Sequence, residues 1–106
     1  MLRLLAIAAL AITTLGHSPA RAQNATFFTI SYIEVGPILA KVGASALRSD
    51  RDAGRKDKGS IHLDVFESVE RSNQFVVLGA WTDQAAYEAY TASAHAKALN
   101  EKLESL

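Results

Sequence analysis

The chain has 106 residues and no cysteine. A disulfide, a thiolate nucleophile and a lipid-modified cysteine at a processing site are all excluded by that one absence. Excess charge is missing too, since eleven Lys and Arg balance eleven Asp and Glu. A neutral chain lacks the field that nucleic acid or an anionic membrane requires of a partner, so neither is expected. The sequence contains no GxGxxG segment, P-loop or GxSxG elbow. Its histidines fall into neither HxH nor HxxxH spacing, so neither a metal nor a nucleotide cofactor is expected.

Long apolar runs are scarce as well. One stretch, Leu4 to Leu15, is apolar apart from two threonines, and Arg3 precedes it. Pro19 and an Ala20-x-Ala22 ending follow, which completes the three-part plan of a cleavable secretion signal over residues 1–22. The run is shorter than the roughly 20 apolar residues a spanning helix needs. The mature protein is therefore expected to be residues 23–106, secreted or periplasmic, with no membrane association after cleavage. A domain this small without disulfides must rely on its core, and oligomerisation would enlarge that core.

Within residues 23–106 the periodicities are clear. From Thr26 to Ile33 aromatic and β-branched residues alternate, with Phe28, Ile30 and Tyr32 on one face and Phe27, Thr29, Ser31 and Ile33 on the other. Gly36-Pro37 ends that strand and opens a helix, in which Ile38, Leu39, Val42, Ala46 and Leu47 recur at helical spacing as far as Asp52. Gly54 is placed as its stop. Arg48 to Lys58 is almost entirely charged and reads as a solvated loop. Ser60 to Val69 alternates again, and Gln74 to Trp81 is apolar on both faces, as suits a central strand. Thr82-Asp83 caps a helix that runs from Ala85 to Leu106 without Pro or Gly. Its apolar stripe is Ala86, Tyr87, Tyr90, Ala94, Ala98, Leu99, Leu103 and Leu106.

The resulting β-α-β-β-α order is most of the split βαβ, ferredoxin-like α+β plan, an antiparallel sheet covered by two helices. The last strand of that plan has no candidate, because the chain ends inside a helical pattern.

Three segments resemble the antibiotic biosynthesis monooxygenase (ABM) family of dimeric α/β-barrel proteins. Gly59 to Val65 is similar to the family's glycine and second strand. Asn73 to Trp81 is similar to its polar turn and its strand ending in Trp. Asp83 to Tyr90, followed by Ser93 to His95, is similar to its helix. Two departures stand out: the family's usual Glu two residues before the Trp is Gly79, and its first helical His is Tyr90. The resemblance implies a homodimer packed sheet against sheet, with a pocket in each subunit between its own sheet and helices. It also implies activities ranging from cofactor-independent oxidation of aromatic polyketides and quinols to haem degradation.

Six residues are candidates for the site. Trp81 could stack on a flat substrate and donate one hydrogen bond, or could simply close the core. His95 stands where the family keeps a histidine and could handle protons, although a lone helical His also suits a surface or an interface. Tyr90 could orient a ligand carbonyl, or be core. Phe28 and Tyr32 could extend an aromatic wall. His62 alternates with Asp64 on one strand face, either as a pair that raises imidazole basicity or as the wetter side of the strand. The expected function is an exported, cofactor-independent oxygenase acting on a small aromatic or quinol-type molecule. The alternative is a non-catalytic dimeric module of the same fold that binds a small ligand or persists as an envelope stress protein. Haem binding through His95 is a third possibility. Export would remove cytoplasmic reductants and nicotinamide cofactors from reach, which favours chemistry that needs none.

Overall fold

The computed structural model describes residues 25–106. The expected secretion signal, residues 1–22, lies outside the described residues. Strand β1 (Phe27–Glu34) leads through a short 3-10 turn (Pro37–Leu39) into helix α1 (Ala40–Gly54). Strands β2 (Ser60–Glu67) and β3 (Gln74–Trp81) follow, then helices α2 (Gln84–Thr91) and α3 (Ala94–Glu104). The sheet is antiparallel in the order β1-β3-β2, an α+β ferredoxin-like arrangement. The doubly apolar β3 lies at its centre, and no strand follows α3 among the described residues.

Register follows the period-2 pattern. Phe27 stands opposite Trp81, Ile30 opposite Leu78 and Tyr32 opposite Val76, while Val65 and Phe66 of β2 meet Val77 and Val76. Side chains directly opposite each other share a face. Ile33, Leu63, Val65, Phe75, Val77 and Trp81 therefore face the helices. Val35, Ala44, Leu47 and Phe75 form the core there, with Leu99, Leu103 and Leu106 packed on it. The other face carries Phe28, Ile30, Tyr32, Phe66 and Leu78, all exposed.

Three local expectations need correction. The second strand stops at Glu67 rather than Val69, because Ser68 turns the chain, receiving the Arg71 N–H on its hydroxyl at 3.1 Å. The Arg48–Lys58 run is not one solvated loop: α1 continues through Gly54, and Asp50 within it is buried. The last helix is two helices. Ser93 accepts the Ala96 N–H on its hydroxyl and donates that hydroxyl's hydrogen to the Tyr90 carbonyl at 2.6 Å, which ends α2 and starts α3 without Pro or Gly. That break resets the phase, so Ala96 is buried while Ala94 and Ala98 are exposed.

Two glycines are required by geometry. Gly59 has φ 87°, and a Cβ there would lie 2.6 Å from the Ala86 Cβ. Gly79 has the tighter neighbour: a Cβ would fall 2.2 Å from Cη2 and 2.3 Å from Cζ3 of Trp81, whose indole lies across it. Gly79→Ala is expected to displace the indole and destabilise the domain by about 1–3 kcal/mol, the usual range for overpacking. Urea unfolding and the near-ultraviolet signal of Trp81 check this; an unchanged midpoint would mean the ring is free to move aside.

Candidate active site

The site grows from the end of β3 and the first turns of α2 and α3. Asp83 caps α2 by accepting the Ala86 N–H at 2.9 Å, which fixes the direction in which Tyr87 and Tyr90 leave the helix. Tyr87 meets Trp81 edge-on with centroids 4.9 Å apart and Phe27 at 5.2 Å. Tyr90 lies 5.3 Å from Trp81 and 5.5 Å from the His95 ring. The result is a continuous aromatic row from Phe27 to His95. Within it Trp81 is 1% exposed, and its Nε1–H, also buried, has no hydrogen-bond acceptor among the described residues.

The row ends on a carboxylate. Asp50, 6% exposed, accepts the Tyr90 hydroxyl on one oxygen and meets His95 Nδ1 at 2.8 Å with the other. The second ring nitrogen, Nε2, lies 2.8 Å from Asp57. A ring with a carboxylate on each nitrogen is best served by two N–H donors, the imidazolium form. Desolvation alone would lower the His95 pKa, but the hydrogen bonds to Asp50 and Asp57 and their charges outweigh it, so the net shift is upward from 6.5. Burial pushes the Tyr90 phenol well up, and the hydrogen bond to Asp50 and that group's charge push it further. Tyr90 therefore holds its proton under ordinary conditions.

Two hollows flank Asp50. An inner cavity of about 330 Å³ lies between sheet and helices, lined by Ser31, Val77, Asp50, Tyr87, Tyr90 and Asn100 among others. An outer groove of about 590 Å³ runs between α1 and α3, with Lys41 and Lys102 on its sides and Asp50 and His95 along it. The groove is larger but open along the surface. The inner cavity borders the aromatic row and is the better ligand site.

Of the six expected residues, the structure brings Trp81, Tyr90 and His95 together. It does not bring Phe28, Tyr32 or His62 to them. The register that puts Trp81 toward the helices puts these three on the opposite sheet face, so in one chain they do not line the cavity. His62 and Asp64 do share that face, but Asp64 is paired with Arg55 at 2.9 Å. Sequence reasoning missed Asp50 and Asp57, which it had assigned to the charged run. A signal was present: Gly43, Leu47, Asp50 and Gly54 recur at helical spacing and are all buried. Among the described residues no group of three or more His, Cys, Asp or Glu side chains is placed to hold a metal ion. Haem ligation by His95 would first require one of its two carboxylate contacts to break.

This geometry defines a class: an α+β sheet-and-helix domain with a pocket between its layers and an aromatic-acid wall. The antibiotic biosynthesis monooxygenase family model matches residues 40–102, and the chain belongs to that family. The Bacillus subtilis (strain 168) protein called "Putative monooxygenase YcnE" is 34% identical over 65 residues, covering 61% of this chain and 68% of its own. Among solved structures, the "Putative antibiotic biosynthesis monooxygenase" of Nitrosomonas europaea superposes with TM-score 0.73 at 19% identity, over 78% of this chain and 80% of that one. PA3566 from Pseudomonas aeruginosa superposes with TM-score 0.72 at 22% identity, over 77% and 83%. At these identities the structures establish the fold alone.

The raised His95 pKa has a signed consequence. A group whose pKa is higher folded than unfolded adds stability that is complete below the unfolded value, near 6.5, and is lost as pH rises through the folded value. The stability gap between wild type and His95→Gln should be about 1–3 kcal/mol near pH 6, the range for hydrogen bonds to charged groups, and narrow toward pH 9. Urea melts across that range check it. A gap that stays constant would mean the ring is not held as imidazolium.

Proposed function

We propose that the protein is an exported monooxygenase that oxidises a small aromatic or quinol-type molecule without metal or flavin. The supporting observation is the meeting of Tyr87, Tyr90 and Asp50 on one sheet-helix cavity, with the buried Trp81 packed against both tyrosines. In such chemistry an electron-rich substrate anion reduces dioxygen, a carbon–oxygen bond forms, and the O–O bond then cleaves. For a methylene between aromatic rings the balance is CH2 plus O2 giving C=O plus water. The chain's part is to exclude water, hold the ring against the aromatic row and move the proton. His95 acts in this through Asp50, since both of its ring nitrogens are engaged.

Oxygen uptake with a panel of quinols and anthrones tests the reading. Uptake is expected with at least one member, and Trp81→Ala should reduce it on the order of tenfold or more by unseating the aromatic row. Absence of uptake across the panel would reject the oxygenase. One observation favours the second reading, a non-catalytic ligand-binding or envelope stress module: the Trp81 indole fills the space over Gly79 where the family's carboxylate would project. Ligand binding without any uptake would support it.

The homodimer belongs to the same proposal. Phe28 is 71%, Ile30 60% and Tyr32 81% exposed on a sheet face that none of the described residues covers. Burying such a face against a second copy would remove a large apolar patch from water. Light scattering should report a dimer at micromolar concentration, and Ile30→Asp should shift it to monomer with helix content retained. A wild-type monomer would overturn this part.

A further inference from the structure

We propose that the outer groove between α1 and α3 is a second binding site, separate from the inner cavity, for a single-chain carboxylate of the fatty-acid type. Its head group lies between Lys41 and Lys102, and its chain follows the groove toward His95.

One face of each helix builds the groove. On α1 its lining runs at helical spacing from Lys41 to Ala53, and on α3 from His95 to Lys102. Between those ends Val42, Ala46, Ala98 and Leu99 form an apolar track, beside the hydroxyls of Ser45 and Ser49. A volume of about 590 Å³ suits a small ligand.

The contact between His95 and Asp50 fixes how the two helices lie along each other. Lys41 precedes Asp50 by nine residues and Lys102 follows His95 by seven. Both lysines border the groove, so α1 and α3 run antiparallel with the lysines at the same end. A rise of about 1.5 Å per residue puts that end roughly 10–14 Å from the Asp50–His95 contact. An extended alkyl chain advances about 1.3 Å per carbon, given C–C bonds of about 1.5 Å, so roughly eight to ten carbons span the track.

Charge decides the sign of the ligand and its direction. Lys41 and Lys102 are exposed, and among the described residues neither is within ion-pair distance of a carboxylate. Arg51 and Arg55, by contrast, each hold an aspartate at 2.9 Å. Glu67 borders the next hollow together with Lys41 but forms no ion pair with it. Two like charges at one end of a groove both attract an anion placed between them, and the anion offsets their mutual repulsion. At the other end Asp50 is itself a carboxylate, with Tyr90 and His95 already on its oxygens, and it repels a second anion. The His95 ring is engaged on both nitrogens by Asp50 and Asp57 and has no donor left for a head group. The head group is therefore held at the lysine end. Ammonium groups act as point charges without the planar fork of arginine, so the chain supplies the rest of the selectivity.

Calorimetric titration of the purified chain with sodium hexanoate, octanoate and decanoate, below micelle-forming concentrations, tests the site, and amide NMR shifts locate it. Each added methylene is expected to tighten binding by about two- to fourfold. Lys41→Glu combined with Lys102→Glu should weaken decanoate binding at least about tenfold with helix content retained. Ala98→Trp, which fills the track, should do the same. Shifts should centre on Ser45, Ser49 and Ala98, which border the groove and not the inner cavity, since Asp50 and Leu99 border both. No decanoate binding, binding unmoved by the charge reversal, or shifts centred on Val77 and Tyr87 of the inner cavity overturn the proposal. Shifts of the groove amides with protein concentration alone would assign the groove to a second copy and overturn it too. Neither lysine lines the inner cavity, so oxygen uptake should be unchanged by the charge reversal. If wild type takes up no oxygen, the oxygenase reading fails, and the decanoate result alone decides this inference.

Discussion

Asp50 is a carboxylate taken almost wholly out of water, and the arrangement of the helices follows from satisfying it. Burying an ionised carboxylate costs several kcal/mol unless good partners replace its hydration. The partners come from three places: the Tyr90 hydroxyl from α2, the His95 ring from α3 and, through that ring, Asp57 from the turn after α1. One buried charge therefore ties α1 to both later helices and pins the turn that leads into β2. The tie also needs the break at Ser93. On an unbroken helix, residues five apart point about 140° away from each other, so Tyr90 and His95 could not both reach the same carboxylate. The Ser93 cap redirects the chain between them, and the two side chains then converge on Asp50.

A second constraint works from the sheet. The indole of Trp81 lies along β3 because Gly79 has no side chain to hold it off. The indole in turn is the surface on which Tyr87 and Tyr90 pack. The acid that meets this aromatic surface comes from α1, where Asp50 accepts the Tyr90 hydroxyl. The bare Gly79 leaves room for the indole, the indole backs Tyr90, and the helix carboxylate gives that tyrosine a partner.

Most of the fold was legible because it rests on short periods. The alternation in Phe27–Ile33 fixed both faces of β1, and the doubly apolar Gln74–Trp81 predicted its central place. Trp81, Tyr90 and His95 stood out as candidates because the resemblance marks those positions, and the structure packs their rings in one row. Asp50 and Asp57 were not, because a run of charges hides which members lie on the buried stripe of a helix. Composition says that the segment is polar, whereas only the phase set by Gly43 and Leu47 says that Asp50 points inward. The helix break escaped notice for a related reason. Ser93 interrupts the helix through hydrogen bonds to Tyr90 and Ala96, and neither Pro nor Gly announces it. Phe28 and Tyr32 were assigned to the pocket because aromatic residues suit both a binding wall and an interface, and only the register separates the two uses.

That separation gives the sheet two distinct faces. The inner cavity is lined by residues of one chain, from both outer strands, β3 and all three helices. The opposite face carries exposed apolar side chains that none of the described residues covers, and its residues alternate along the same three strands with those that line the core. β3 belongs to both faces, since Leu78 and Ala80 look outward while Val77, Gly79 and Trp81 look inward. A subunit pressed against the outer face would leave the lining of the cavity unchanged but would stiffen the strand that carries Trp81. The aromatic row is anchored to that strand at one end and to the buried carboxylate at the other. A change at the outer face can therefore reach the site through the strands, by way of the indole or of lining residues such as Ser31 and Val77, whereas a change in the charge of His95 reaches it through Asp50.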